Sequence, residues 1–294
     1  MFTVLLLLLL VTQCMMVLKE ANHVETITLP AHIGSIHKSV LVVGIVRDIA
    51  EPLRKSIDRL MKLLPIFTRY QVFIYENDST DGTKQVLQEA KDAFPDHFHY
   101  QCEDKIDDKL AVLYTKVERY EKMAEYRNKY IEELRKPQYD HMDYVMVFDF
   151  DSKGMFTANQ LQRVFSISEP WDALFAHAQA WYRHVKSSFY NVLQTNSGYD
   201  TLAFVSADDT VFGFGQGIWG KHKRLVMRDD GPLVHVKSAF NGLSIYPRHI
   251  LMQVRYSGRG QCEHIRLHQD MWDLGYTKTY IVPYLAWCHS TSFP

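Results

Sequence analysis

Val72-Phe73-Ile74-Tyr75-Glu76-Asn77-Asp78-Ser79-Thr80-Asp81-Gly82-Thr83 is an apolar run that closes on carboxylates and turn formers before a helical segment begins. Read as a strand entering a turn, it holds acidic side chains at the C-terminal edge of a β-strand. In an open α/β sheet ligands bind at that edge, and short polar side chains there read a nucleotide's base and ribose through hydrogen bonds. Taken alone, the stretch is equally a polar β-α turn whose Asp and Thr cap a helix. A second acidic strand end, Val145-Met146-Val147-Phe148-Asp149-Phe150-Asp151, tips the balance toward a site. On an extended backbone the side chains of Asp149 and Asp151 point the same way, so both carboxylates face one cation, and hard oxygen ligands suit Mg2+ or Mn2+. An Asp-x-Asp by itself carries little weight, because chance supplies on the order of one in a chain of ordinary composition. Its place after an apolar run is what counts.

Upstream, Ser39-Val40-Leu41-Val42-Val43-Gly44-Ile45-Val46 reads as a buried strand ending at Arg47-Asp48, and the segment from Pro52 carries Leu53, Ile57, Leu60, Met61 and Leu64 at helical spacing. After the Val72 to Ile74 strand comes a second helix, started by Ser79 to Thr83, with Val86, Leu87 and Ala90 on one side. Two successive β-α units predict a parallel, doubly wound sheet. From about Lys109 to Arg135 the positions Leu110, Leu113, Val117, Tyr120, Ala124, Ile131 and Leu134 mark one long amphipathic helix, stopped before Pro137. Arg127 falls inside that apolar stripe, where an arginine either snorkels out or meets an anion. Asn128 beside it and Arg119 earlier on the helix allow a polar pocket. The Asp149/Asp151 strand follows, then a helix with Leu161, Val164 and Phe165, then a mixed second half. There Trp181-Tyr182, Tyr199-Asp200, Phe212-Gly213-Phe214-Gly215, Trp219-Gly220 and Phe240-Asn241-Gly242 set aromatic rings beside glycines, the materials of both a core and a sugar-binding cleft.

With 294 residues and 47% hydrophobic content the chain is read as one large α/β domain. A formal net charge of −1 and a pI near 6.9 give no global basic field, so no nucleic-acid partner is expected. Residues 2–18 are almost wholly apolar, broken by Thr3, Thr12, Gln13 and Cys14, which reads as a secretory-pathway segment. A short uncleaved anchor over residues 1–20 is expected, with a cleaved signal peptide as the alternative, then a short stem over 21–38 and the main domain over 39–294. Beyond Cys14 the odd set Cys102, Cys262 and Cys288 allows one bridge and one thiol, at spacings unlike a structural zinc site.

Taken in order, Glu76-Asn77-Asp78-Ser79-Thr80-Asp81-Gly82-Thr83, the helix carrying Met123-Ala124-x-x-Arg127-Asn128, and Asp149-x-Asp151 after a hydrophobic strand resemble GT-A glycosyltransferases. The Ser-Thr-Asp-Gly-Thr turn, an Arg-x-x-x-x-Ala-x-x-Arg-Asn helix read from Arg119, and Tyr199-Asp200 are similar to the fungal capsule-associated α-1,3-mannosyltransferase family, over about residues 40 to 205. The resemblance implies a GT-A, Rossmann-like fold: a central, mostly parallel sheet flanked by helices, with a mixed acceptor-side half. It implies a luminal type II enzyme of the ER or Golgi membrane, secreted if the leader is cleaved, that moves a sugar such as mannose from a GDP- or UDP-sugar to a hydroxyl of a glycan or glycoconjugate. Mn2+ or Mg2+ would bridge the donor diphosphate. Arg47, Glu76, Asn77, Asp78, Arg127 and Asp149 are the candidate donor-binding residues, with Glu76 and Asn77 at the base or ribose. Asp149 and Asp151 would hold metal and sugar, Asp151 standing also as catalytic, and His289 or His268 would complete the metal shell. Glu76-Asn77-Asp78 departs from the Asp-Asp-Gly of many GT-A enzymes.

The chemistry these residues suit is displacement of a nucleoside diphosphate from an anomeric carbon. An inverting enzyme adds a general base for the acceptor hydroxyl, for which Glu263, in Cys262-Glu263-His264-Ile265, and Asp270 near His268 are candidates. A solvated helix start is the plainer reading of Glu263; a retaining enzyme needs no such base, and Glu263 would then orient the acceptor. Two rival functions use the same residues differently. A haloacid-dehalogenase-like phosphohydrolase would take Asp149 as nucleophile and Asp151 as acid, and a non-catalytic luminal lectin would use the aromatic cleft alone.

Overall fold

The computed structural model describes residues 34–104, 116–152, 155–180, 202–207 and 231–289. Strand β1 (Ile36–Val46) buries Val40 to Val43 completely, as a strand covered on both faces must. Helix α1 (Ala50–Leu63) turns Leu53, Ile57, Leu60 and Met61 to one side. Strand β2 (Phe67–Asn77), helix α2 (Thr83–Ala93) and strand β3 (Phe98–Glu103) complete the first β-α-β pattern. Then come α3 (Lys116–Glu133), β4 (Tyr144–Phe148) and α4 (Ala158–Phe165). The last is started by a capping box in which Thr157 accepts from the Gln160 amide and Gln160 returns a bond to the Thr157 amide. The remaining elements are β5 (Ala173–Ala180), β6 (Val205–Ser206), β7 (Val234–Ser238), β8 (Leu243–Pro247), α5 (Arg248–Leu251), α6 (Glu263–Asp273) and β9 (Thr279–His289).

Among the described residues the strands form one nine-stranded sheet in the order β3-β2-β1-β4-β8-β5-β9-β7-β6. Strands β3, β2, β1 and β4 run parallel; β8 is antiparallel to both β4 and β5, β9 is parallel to β5, and β7 and β6 continue antiparallel. The fold class expected from the sequence is therefore present, a mixed sheet whose first half is parallel. Alternation along the strands divides the core in two. Leu41, Val43, Phe73, Tyr75, Val145 and Val147 meet α3 and α6 on one face, whereas Val40, Val42, Val72, Ile74, Met146 and Phe148 meet α1, α2 and α4 on the other.

Register sets the site. Val46 lies opposite Glu76 and Val43 opposite Val147, so the C-terminal ends of β1, β2 and β4 open on the same edge of the sheet. Antiparallel β8 begins there too, with Leu243 opposite Phe148.

Several boundaries differ from the sequence reading. Strand β2 runs on through Asn77, so Glu76, between β1 and β3, and Asn77, paired with β3, are strand residues. Backbone pairing to the neighbouring strands outweighs the turn preference of their side chains. The backbone leaves the extended form at Asp149 and turns at Phe150 and Asp151, so the expectation that both carboxylates point the same way from one straight strand does not hold. Phe150 is drawn into the core beside Phe148, with ring centroids 4.9 Å apart. The start of the long helix, the Trp181-Tyr182, Phe212 to Gly215 and Trp219-Gly220 stretches, Tyr199-Asp200 and the apolar leader lie outside the described residues. No helix among the described residues is long and apolar enough to cross a membrane.

Candidate active site

The acidic turn is tied to the end of β1 by side chains. Ser79 Oγ accepts from the Asp48 amide at 3.0 Å, and the Asp48 carboxylate in turn accepts from the Thr80 amide at 2.7 Å. Thr83 Oγ1 accepts from the Ile49 amide, and Asp81 accepts from the Ala50 and Thr83 amides. One turn thus caps both α1 and α2, satisfying amides that helix starts leave without intrahelical partners. Burial would raise the Asp81 pKa, but hydrogen bonds from Thr83 and from the Ala50 amide outweigh it and hold the carboxyl below its ordinary value. Asp48 and Asp78 both adopt left-handed backbone, at φ 51° and 55°. Asp78 therefore takes the conformation that glycine accepts most easily, so an aspartate here stands where the Asp-Asp-Gly pattern named above has its glycine. Glu76 is fully buried, and its Oε1 accepts from the Ser79 amide at 2.7 Å. Burial first, and Glu76 next, push the neighbouring Cys102 thiol up to about 12. A thiol so protonated is no nucleophile.

The second acidic element is held from three sides. The Asp149 amide donates to Gly242 O at 2.9 Å, Ser56 of α1 donates to Phe150 O at 2.8 Å, and the Phe150 ring fills the space over Gly44. A Cβ on Gly44 would stand 2.5 Å from Phe148 O and 2.7 Å from the Phe150 ring. The Asn241-Gly242 turn, left-handed at both residues, is itself anchored by Asn241 Nδ2 donating to Ala176 O at 2.8 Å. With its backbone fixed in this way, Asp149 keeps a quarter of its side chain exposed and Asp151 is exposed. Two hard-oxygen ligands at a sheet edge fit Mg2+ or Mn2+, which are commonly held by one or two carboxylates together with substrate phosphates. Among the described residues no group of three or more His, Cys, Asp or Glu forms a complete protein cage.

Behind Asp149 lies a buried charge pair. Arg127 Nε donates to Glu263 Oε1 at 3.1 Å, and Arg127 Nη2 stands 3.8 Å from Asp149 Oδ1. The guanidinium sits 5.1 Å from the Phe240 ring centroid and 5.8 Å from that of Tyr256. Burial alone would lower its pKa; Tyr130, Glu263 and Asp149 overcome that and hold Arg127 charged, well above the ordinary value. His264 stacks on Phe240 at 4.0 Å, and burial, then Arg127, then His268 drive its pKa well below the ordinary value, so the ring is neutral. Asn128 docks the segment after α5 by accepting from the Tyr256 amide at 3.0 Å and donating to Tyr256 O at 2.9 Å. Gly258 presses against the Tyr120-Glu121 backbone of α3, where a Cβ would approach within 2.1 Å.

The model of the family described as Cryptococcal mannosyltransferase 1 matches residues 40–270. The chain belongs to this family. That membership sets aside the phosphohydrolase and lectin readings. No curated protein matches the chain in sequence. Among solved structures, GalNAc-T7 with UDP, GalNAc and Mn2+ is 12% identical at a TM-score of 0.51, covering 88% of this chain and 45% of that one. TarS of S. aureus is 11% identical at 0.50, covering 87% and 37%. The mannosyltransferase PcManGT of Pyrobaculum calidifontis, solved with GDP-Man and Mn2+, is 13% identical at 0.48, covering 88% and 59%. The chain thus spans well under two thirds of the length of these structures, and at such identity the likeness is one of GT-A fold.

Within this family frame, the candidate residues divide by where the fold sets them. Arg47, Glu76, Asn77, Asp78, Asp149 and Asp151 gather at one sheet edge, and Arg127 and Glu263 lie behind Asp149. Arg47 reaches its neighbour Asp48 at 3.8 Å. Arg127 does not snorkel, and Arg119 is exposed. Glu263 does begin a helix, but a buried one, contrary to the solvated start expected: 6% of its side chain is exposed, and it pairs with Arg127. His268 is corrected as a metal ligand, because Ser238 occupies Nδ1 and Tyr246 occupies Nε2, each at 2.8 Å. Asp270 pairs with Arg266 along α6 at 3.6 Å. The side chains of His289 and Cys288 lie outside the description, and Cys102 and Cys262 are not bridged. Of the residues that fix the site, Gly242 belongs to an aromatic-glycine stretch noted above, whereas Gly44, Ser56 and Tyr256 carry no motif; for Gly44 the signal is a glycine inside a valine-rich strand.

Proposed function

We propose that the chain transfers a mannosyl group from a nucleotide-sugar donor to a hydroxyl of a glycan or glycoconjugate, with Mn2+ or Mg2+ bound at Asp149 and Asp151. The observation that carries this reading is the convergence of Glu76-Asn77-Asp78 and Asp149-x-Asp151 on one edge of the parallel strands, where an α/β sheet takes nucleotides. The family's description supports mannose as the sugar. When bound, the metal would offset charge building on the leaving phosphate oxygens. The chain's own residues orient and exclude. Glu76 and Asn77, both buried at the end of β2, stay our candidates for the base or ribose side of the site, Glu76 shaping it through the Ser79 amide it accepts from; Arg47 and Asp78 line the same edge, and Arg127 adds a fixed positive charge behind Asp149. Glu263 is engaged with Arg127 and so is not placed to take a proton from an acceptor; retention of anomeric configuration, which requires no such base, is the stereochemical course we favour. His289, the last residue of β9, stays the candidate for a further metal ligand. The apolar leader supports delivery to the ER or Golgi lumen, which protease protection of the expressed protein would test.

Incubating the full chain with GDP-mannose, UDP-sugars and CMP-sugars, each with Mn2+ and with chelator, tests the reading. Release of nucleoside diphosphate from GDP-mannose that depends on metal is the expected result. Equal release with chelator, or none from any donor in the presence of a glycan acceptor panel, contradicts it.

A further inference from the structure

Arg127 stands between two carboxylates and does not hold them alike. Its Nε is within hydrogen-bond distance of Glu263 at 3.1 Å, whereas its Nη2 is 3.8 Å from Asp149 Oδ1, an ion-pair distance beyond hydrogen bonding. Phe240 and Tyr256 box the guanidinium in, and Glu263 is fixed in the first turn of α6. Asp149 is also the residue proposed to take the metal. A cation this close to a carboxylate disfavours a second cation there, the more so in a buried setting where charges are poorly screened. A second carboxylate, Glu263 on Nε, offsets that effect and restrains the guanidinium mechanically.

We infer that Glu263 is a positioning residue that sets the metal affinity of the Asp149/Asp151 site by anchoring Arg127 short of Asp149. The inference rests on the metal-site reading above. Without the Glu263 charge, Asp149 becomes the nearest carboxylate partner of Arg127, and the guanidinium closes on it in competition with the metal. With both charges gone, Arg127 no longer competes with the metal for Asp149.

Mn2+ binding to the full chain, followed by the electron paramagnetic resonance of the free ion with no donor present, reads this without any reaction. Glu263→Gln is expected to lose at least about tenfold in affinity, and Arg127→Met combined with Glu263→Gln to bind several-fold more tightly than wild type. Wild-type affinity in Glu263→Gln overturns the inference. So does wild-type or weaker affinity in the double variant, an arm that stands even if Glu263→Gln alone does not fold. Asp149→Asn separates the two levels. If it keeps wild-type Mn2+ affinity, the metal lies elsewhere and the site reading falls with the inference; if it loses Mn2+ while Glu263→Gln does not, only the inference falls.

Discussion

Arg127 and Glu263 form the buried pair on which the back wall of the site depends, and breaking such a pair is expensive because one charge is left in a poorly solvating interior. Arg127→Met keeps helix propensity and length, yet it strands Glu263, so we expect a loss of about 3–5 kcal/mol in denaturant unfolding together with reduced transfer. Adding Glu263→Gln should recover part of the stability, and equal stability of single and double variants would show the two charges to be uncoupled. Histidine burial adds a pH dependence. His268, with both nitrogens hydrogen-bonded, is pushed down to about 3 by burial, and His264 is lowered as well. The unfolded chain, titrating near pH 6.5, binds more protons than the folded one between those values. Stability from His268 is therefore full above about pH 6.5 and is lost as pH falls toward about 3, at up to about 1.4 kcal/mol per pH unit. Denaturant midpoints at pH 7 and pH 5 should diverge in the wild type and less so in His268→Gln; identical slopes in the two proteins would contradict the buried neutral ring.

Strand β1 and the turn after β4 meet where Gly44 lets the Phe150 ring and Phe148 carbonyl approach. A methyl group there has only backbone and a packed ring to displace, so Gly44→Ala should cost on the order of 1–3 kcal/mol and lower turnover by shifting Asp149. Thr157→Ala is the control, removing the cap of α4 for about 1 kcal/mol with transfer intact. Comparable loss of turnover in both would mean that the Gly44 effect is merely global. The elements themselves were legible. Val40 to Val43 and Val145 to Phe148 have no other home than a doubly covered strand, and Leu53, Ile57, Leu60 and Met61 fall on one helical face. The left-handed Asp78 and the shared capping of α1 and α2 were not, because they arise only once β1 and β2 lie side by side.

At the scale of the whole molecule, the acidic strand ends were readable because each is a local pattern, hydrophobic run followed by carboxylate. What surrounds them was not. Arg127 and Glu263 lie 136 positions apart, and nothing in either neighbourhood announces the other, so the arginine looked equally like a snorkelling side chain and the glutamate like a surface helix start. The sheet brings them together by placing α3 and α6 on the same face as Val43 and Val147, with Phe240 and Tyr256 between. We propose that this assembly presents Asp149 and Asp151 to a divalent metal that would support binding of the donor diphosphate. Calorimetric titration of the full chain with GDP and with UDP, with Mn2+ and with chelator, in wild type and in the double variant Asp149→Asn, Asp151→Asn, tests it most directly. We predict that Mn2+ tightens binding of one nucleotide by roughly a hundredfold in the wild type, about 2.7 kcal/mol, and has no such effect in the double variant. Mn2+-independent binding in the wild type, or Mn2+-dependent binding that survives loss of both carboxylates, would contradict it.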